Sequence, residues 1–559
     1  MANHMQAYRE WLGHSGLDEQ TGAELLALEG DEQEIHERFY QDLAFGTGGL
    51  RGVIGAGTNR MNRYTVRRAT LGYARYLKQT VGEQACSRGV VIAHDNRRMS
   101  RVFCMETAGV LAANGIKAYI FDALRPTPEL SFAVRRLGAA GGVVITASHN
   151  PAEYNGYKVY NSEGCQLVPH ETDLLIDIIG QIDDPLAIRS LTKAEAGDLI
   201  ETVGPELDEA YYEAVMGIRL RPDVKKDGFK VVYSPQHGTG NVPVREVLAR
   251  CGYCVHAVEE QCFPDEDFVN TKNPNPETRE AYELALPCAA RVDADIAITT
   301  DPDCDRLGVV AKRNGSYELL TGNQSGAVLL HYILDFHHKN GTLPANAVMC
   351  NTIVTSTLGD RICEKYGVRV DKTLTGFKFI GEKIHAYETK GDATYVFGYE
   401  ESYGCLIADF ARDKDGVQAS LMLCEAAAYY KTLGKTLWDV LDDIYAEHGY
   451  YLDALTNVVH KGAAGVQKIA ELLDTLRNEP PAEVNGVAVV KVEDYLAREM
   501  TEQGYPASNV LRYLLADQSW VAVRPSGTEP KCKYYYCVAA ASRAEAEQKL
   551  ACMKKVFEK

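Results

Sequence analysis

Short apolar runs alternate with amphipathic stretches along much of this chain. Val90-Val-Ile-Ala93 precedes a helical pattern from Arg101 to Asn114. Lys117-Ala-Tyr-Ile-Phe121 precedes a second from Glu129 to Leu137, and Gly142-Val-Val-Ile-Thr146 follows. Continuous apolar runs separated by helical periodicity suit strands buried on both faces, so this βαβαβ rhythm predicts a largely parallel sheet. Similar strand-then-helix units are expected at Lys230 to Arg250, at Ala347 to Tyr366 and around Ala294 to Val310, a repetition of pattern rather than of identity. Breaks are predicted in Glu195 to Glu209, in the polar turn Thr321 to Ser325 and in Tyr450 to Gly465. Beyond Glu479-Pro-Pro481 the expected strands are Val487 to Val492, Trp520 to Val523 and Lys533 to Ala540, with a helix from Arg543 to Phe557. The fold class is therefore α/β: three similar mixed-sheet α/β domains at 1–205, 206–324 and 325–455, then a smaller α+β domain at 456–559.

Composition adds limits. The 559 residues are 46% hydrophobic and 24% charged, enough to bury several cores, which excludes disorder and fibres. Against 59 Lys and Arg stand 77 Asp and Glu, and the net charge of -18 repels nucleic acid and anionic membranes. An anionic substrate would need a local basic pocket. No leader or spanning segment is expected, and fifteen scattered cysteines fit a reduced, cytoplasmic setting. The C-x-x-C at Cys251 and Cys254 lacks a second half and reads as structural.

Candidate chemistry concentrates in loops. Thr146-Ala-Ser148-His149-Asn150-Pro151 directly follows an apolar strand, and in parallel sheets ligands bind at carboxyl ends of strands. Its flanks are not a G-x-S-x-G elbow, and in an extended chain His149 would point away from Ser148, so acyl transfer is disfavoured. A plain turn is the alternative. In Asp301-Pro-Asp303-Cys-Asp305-Arg306, residues two apart share a face if the segment is extended, and three carboxylates so placed call for a hard cation such as Mg²⁺. A calcium loop fits poorly, because Arg306 and Lys312 stand at its sixth and twelfth positions.

Two segments suit phosphate. Arg524-Pro-Ser526-Gly527-Thr528-Glu-Pro-Lys531 offers a guanidinium fork, hydroxyls and open N–H groups, and Phe45-Gly-Thr-Gly-Gly-Leu-Arg51-Gly52 bares backbone around one arginine, with no strand evident before it. Gly398-Tyr-Glu400-Glu401-Ser402-Tyr-Gly404 supplies acceptors for sugar hydroxyls. Adjacent glutamates on an extended loop face opposite ways, so they cannot flank one glycosidic bond.

Taken in order, Thr146-Ala-Ser-His-Asn-Pro151, Asp301-Pro-Asp-Cys-Asp-Arg306, Gly398-Tyr-Glu-Glu-Ser402 and Arg524-Pro-Ser-Gly-Thr528 resemble the α-D-phosphohexomutase family, most closely its long phosphoglucomutase and phosphopentomutase branch. The resemblance implies four domains around a central cleft. It also implies a phosphorylated Ser148, with Mg²⁺ held by that phosphate and by Asp301, Asp303 and Asp305. Arg306 would contact the phosphoserine or substrate, and Arg51 would support the same phosphate. Glu400 and Ser402 match the family's sugar loop, Thr375 and Lys414 further substrate contacts, and Arg524, Ser526, Gly527 and Thr528 the grip on the other phosphate. His149, Lys158 and Lys414 are the proton-transfer candidates, left unassigned between acid and base.

The implied activity is interconversion of glucose 1-phosphate and glucose 6-phosphate through a phosphoserine enzyme, with glucose 1,6-bisphosphate as intermediate and primer. A phosphopentomutase acting on ribose or deoxyribose 1-phosphate is the alternative within the family. From other classes, a haloacid-dehalogenase-type phosphatase would use Asp301 as nucleophile but wants Thr or Val where Asp305 stands and would leave Ser148 idle, and a non-catalytic sugar-phosphate regulator is disfavoured by the intact serine, aspartate triad and phosphate loop. The expected partner is a small phosphorylated sugar, without nucleic acid or membrane. The oligomeric state stays open.

Overall fold

The protein is described by a computed structural model covering residues 4–46, 48–459, 463–525 and 531–558. It divides into two compact units. One comprises Met1–Leu319, Phe377–Asp392 and Tyr403–Thr432, the other Leu320–Gly376, Ala393–Ser402 and Leu433–Lys559.

The first unit contains a six-stranded sheet in the order Leu50–Val53, Tyr154–Tyr160, Gly141–Ile145, Val90–His94, Ala118–Phe121, Ile200–Val203. The last four strands run parallel, as the βαβαβ rhythm predicts. Tyr154–Tyr160 pairs antiparallel with both its neighbours, making the sheet mixed. Gly141–Ile145 and Val90–His94 are buried along their whole length, which explains why they read as unbroken apolar runs. Between them Ser100–Ala113 and Thr127–Leu137 form the expected helices, the second ended by Gly138 at φ 61°.

The second sheet of this unit also pairs Lys230–Ser234 in parallel with Cys254–Ala257 and with Ile296–Thr300. Here one expectation fails. Ile296–Thr300 leads not into a helix but back through a short loop into the antiparallel strand Leu307–Arg313. The apolar run Leu307 to Val310 is buried and pairs with its predecessor, and the helix of the unit, Ala285–Val292, comes before the strand. Three helices not foreseen in the sequence, His4–Leu12, Glu19–Leu26 and Glu32–Phe39, share a small core of Tyr8, Trp11, Leu25, Ile35 and Phe39. Two of them begin at aspartate caps, Asp18 and Asp31.

In the second unit Arg369–Thr373, Ala347–Thr352 and Thr394–Tyr399 form a parallel trio. The polar segment at Thr321 to Ser325 falls where the second unit begins, at Leu320, and it also opens a helix: Thr321 caps Gly322–Lys339 in a reciprocal pair with Gln324. The segment Tyr450 to Gly465, expected as a break, contains a strand that the pattern did not show. Tyr450–Val459 is the edge strand of a six-stranded sheet and pairs over its full length with Lys531–Ala540. All pairings of that sheet are antiparallel, and the helices Ala463–Asn478 and Arg543–Phe557 enclose a core with Tyr513, Val521, Tyr534 and Tyr536. Among the described residues no helix is long and apolar enough to cross a membrane.

Candidate active site

Thr146 to Pro151 leaves the carboxyl end of the buried strand Gly141–Ile145. The turn is tight: Asn150 N–H donates to the Ala147 carbonyl at 3.1 Å, and Ser148 N–H donates to Thr146 Oγ1 at 2.8 Å. Ser148 is held at φ 52°, a left-handed conformation that costs a residue with a side chain about 1–3 kcal/mol and persists only where surroundings impose it. This overturns the expectation that His149 points away. Because the chain is not extended here, His149 Nδ1 lies 3.1 Å from Ser148 Oγ. Ser148 Oγ itself donates to Asp301 Oδ2 at 2.6 Å. The arrangement is still not a hydrolase triad, since Asp301 accepts from the serine rather than orienting the imidazole.

Asp301 ends the buried strand Ile296–Thr300. The three carboxylates converge, but not through alternation in an extended chain. Cys304 N–H closes a turn onto the Asp301 carbonyl at 3.0 Å, Cys304 sits at φ 56°, and Asp301 Oδ1 accepts from the N–H groups of Asp305 (3.1 Å) and Arg306 (3.0 Å). Asp301 and Asp303 are fully buried and Asp305 is 3% exposed, and one oxygen of each lies within 4.8 Å of the others.

Cations surround this cluster. Lys158, on the strand Tyr154–Tyr160, donates to Asp303 Oδ2 at 2.7 Å and approaches Asp305 Oδ2 at 3.4 Å. Lys414 Nζ lies 3.3 Å from Asp305 Oδ2 and from Asp413 Oδ1. Arg306 pairs with Glu277 and lies 3.9 Å from Asp305. The titration behaviour follows from these neighbours. Burial, reinforced by Asp303 and Asp305, pushes Asp301 well above the carboxylate range. Burial also acts upward on Asp303, but the Lys158 charge and hydrogen bonds outweigh it and hold that carboxyl low. On Lys158 burial acts downward, yet Asp303 and Asp305 prevail and its pKa is raised. A lowered lysine was the reason for considering it as a base, so the structure removes that reason. Burial lowers His149 well below its usual value, and Arg306 and Arg51 add to the effect.

Arg51 lies on the short edge strand Leu50–Val53 and donates to Asn150 Oδ1 at 3.0 Å. The glycine before this strand is obligatory: Gly49 is at φ 106°, and a Cβ there would stand 2.0 Å from the Tyr157 carbonyl oxygen. Thus the first unit gathers Ser148, His149, Lys158, Arg51, Arg306, Lys414 and the three aspartates.

In the second unit Glu400 follows the strand Thr394–Tyr399, and its Oε1 accepts the Gly376 N–H at 2.9 Å, joining it to the Thr375 turn. Glu401 Oε2 instead accepts from Thr352 and Thr355 hydroxyls at 3.3 and 3.4 Å, so the two glutamates do face apart. Glu400 is buried, while Thr375 and Ser402 are half-buried. Arg524 lies near the end of the strand Trp520–Pro525, half-buried, and Ser526, Gly527 and Thr528 lie outside the described residues.

Comparison with known proteins decides the family. The phosphoglucomutase/phosphomannomutase alpha/beta/alpha domains I, II and III match residues 42–185, 209–315 and 321–448. A curated phosphoglucomutase of Staphylococcus haemolyticus is 39% identical over 509 residues, 89% of this chain and 90% of its own length. One from Staphylococcus aureus strain USA300 is 36% identical over 530 residues, covering 93% and 94%. The chain belongs to the phosphoglucomutase/phosphomannomutase family. Two solved structures share the fold: the Paramecium protein pp63/parafusin (TM-score 0.70, 19% identity, covering 93% of this chain and 94% of that one) and a putative phosphomannomutase from Thermus thermophilus (TM-score 0.69, 24% identity, covering 93% and 100%).

In this family member the aspartate loop suits a divalent cation on its own chemistry. Asp303 Oδ1 and Asp305 Oδ1 are buried and accept no hydrogen bond among the described residues, an expensive condition for carboxylate oxygens unless a cation satisfies them. Sequence reasoning missed Arg97. Its buried guanidinium donates to the main-chain carbonyls of Ser148 and Asn150 (both 2.5 Å), Pro151 (2.7 Å) and Tyr154 (3.1 Å), and pairs with Asp95 at 3.2 Å. The available signal was its place just beyond the carboxyl end of the parallel strand Val90–His94.

Proposed function

We propose that the protein is a phosphoglucomutase that interconverts α-D-glucose 1-phosphate and glucose 6-phosphate through a phosphorylated Ser148. The observation carrying this reading is Ser148 Oγ seated 2.6 Å from Asp301 in a buried loop whose other two aspartates each keep an unsatisfied oxygen. The curated relatives named phosphoglucomutase favour the hexose over the pentose substrate.

In the forward direction the free sugar hydroxyl attacks the phosphorus of phospho-Ser148 as it gives up its proton, the P–Oγ bond breaks, Ser148 Oγ takes up a proton to become the free hydroxyl, and glucose 1,6-bisphosphate forms. After the bisphosphate reorients, Ser148 Oγ attacks the other phosphate and releases the second monophosphate. Mg²⁺, held by Asp301, Asp303, Asp305 and the serine phosphate, would supply charge neutralisation on the transferring group. Arg51 and Arg306 add positive charge on the same side, and Arg97 holds the serine turn. His149, neutral and nearest to Oγ, is suited to accept a proton. Lys158 stays cationic. Thr375, Glu400, Ser402 and Lys414 are assigned to the sugar, and Arg524, Ser526, Gly527 and Thr528 to the phosphate not being transferred. The same reading divides the chain into domains 1–205, 206–324, 325–455 and 456–559. The net charge of -18 and fifteen free cysteines support a cytoplasmic enzyme of small metabolites.

The test is a coupled dehydrogenase assay with glucose, mannose, ribose and deoxyribose 1-phosphates, primed by glucose 1,6-bisphosphate, with and without EDTA, alongside mass spectrometry of the Ser148 peptide. The expected result is Mg²⁺-dependent turnover with the highest kcat/KM for glucose and a phosphate on Ser148. A higher kcat/KM for a pentose would replace the sugar assignment. Hydrolysis to free sugar without an intact Ser148 would replace the mutase.

A further inference from the structure

Thr127 begins the helix Thr127–Leu137, after Pro126 and before Pro128, and is fully buried. Its N–H, one of the donors a helix start leaves unpaired, donates to the Asp303 carbonyl at 3.0 Å. Its hydroxyl donates to Asp303 Oδ2 at 2.9 Å. The same oxygen receives Lys158 Nζ at 2.7 Å, while Asp303 Oδ1 is buried and accepts no hydrogen bond among the described residues. The two oxygens of one carboxylate are therefore used differently. Oδ2 is saturated by two donors arriving from the segment that carries Ser148, and Oδ1 is left for something else.

We propose that Thr127 is a positioning residue for divalent-cation binding: with Lys158 it occupies Oδ2 of Asp303, fixes the rotation of the carboxylate and presents Oδ1 to the cation. This rests on the reading of Asp301, Asp303 and Asp305 as the cation ligands. Lys158 alone fixes one donor direction on a flexible four-carbon stem. The threonine hydroxyl, fixed to a helix start whose backbone already holds the Asp303 main chain, supplies the second, rigid direction. Partners of this kind typically raise metal affinity about 10–100-fold, because an unsupported ligand must be ordered when the metal binds.

The experiment is titration calorimetry of Mg²⁺ and Mn²⁺ into full-length protein for the wild type, Thr127→Val, Thr127→Ser, Thr127→Ala and Asp303→Asn. Thermal unfolding in EDTA reports the fold of each. Thr127→Val fills the same space without the hydroxyl and is expected to bind about 10–100-fold more weakly, with Thr127→Ser close to wild type. If Val disturbs the fold, the Ser and Ala variants carry the comparison, since they differ only in the hydroxyl, and Ala is expected to be the weaker. In turnover, Thr127→Val should need more Mg²⁺ for half-maximal rate while recovering much of its kcat at saturation. Wild-type affinity in Thr127→Val, or equal affinity in the Ser and Ala pair, would overturn the inference alone. Absence of binding to the wild type, or undiminished binding to Asp303→Asn, would overturn the cation reading itself and this inference with it.

Discussion

At the end of the strand Gly141–Ile145 the charged groups answer one another: Lys158 on Asp303, Lys414 on Asp305, Arg306 near Asp305, and Arg97 over four carbonyls of the serine turn and its following strand. At the end of Thr394–Tyr399 the carboxylates are handled differently, with Glu400 accepting a backbone N–H and Glu401 two threonine hydroxyls. The first region suits chemistry in which charge develops, where fixed charges in a water-poor setting need not reorganise. The second suits recognition, where half-buried groups such as Ser402 and Thr375 stay reachable and lone pairs serve for hydroxyls. A charged group therefore does not by itself mark the reacting centre. Its surroundings do.

The sharpest way to break this contrast is Ser148→Ala. Mutase turnover should fall to background while the fold persists, because the side chain is small and only one hydroxyl is lost. Retained turnover in the coupled assay would remove the reactive region from its role.

Next in size is Arg97→Lys, which keeps the charge but loses the fork that spans four carbonyls. A displaced serine turn should cost about 100-fold in kcat, with KM changed far less. Slower phosphorylation of Ser148 by the bisphosphate, followed by mass spectrometry, would place the loss at the turn. An equal rise in KM with unchanged kcat would contradict it.

Glu400→Gln probes the other region. Glutamine can still accept from Gly376, so the turn should hold, but a charge-assisted bond to a sugar hydroxyl weakens, raising KM about 10-fold. Loss confined to kcat would move Glu400 into the reactive group.

The smallest effect concerns pH. Asp415 accepts from Tyr211 and from the N–H groups of Val417 and Gln418, but burial outweighs these bonds and raises its pKa to about 6. For a carboxyl raised on folding, the contribution to stability is full below the unfolded value near 3.8 and is lost as pH rises through about 6. Asp415→Asn removes that slope, so the melting temperature of the variant relative to wild type should climb by a few degrees between pH 4.5 and pH 7. A constant difference across that range would show that Asp415 does not titrate in the fold.

Where local pattern suffices, the sequence determined this protein well. Val90 to Thr146 announced its strands and helices because continuous apolar runs need burial on both faces, and Ser148, Asp301 and Glu400 were legible from their places after such strands. The C-terminal helix Arg543–Phe557 was read at its observed ends. The first three helices and Tyr450–Val459 were not, since short polar helices and a half-exposed edge strand gain their stability from partners distant in sequence. Tertiary structure alone decided the rest. It turned His149 toward Ser148 by holding that serine left-handed, curled Asp301 to Asp305 into a loop closed on itself, and brought Arg97, Thr127 and Lys158 onto carbonyls and carboxylates up to 176 positions away. Such contacts leave no local periodicity, because the groups that satisfy a buried charge are chosen by proximity in the fold and not by spacing along the chain.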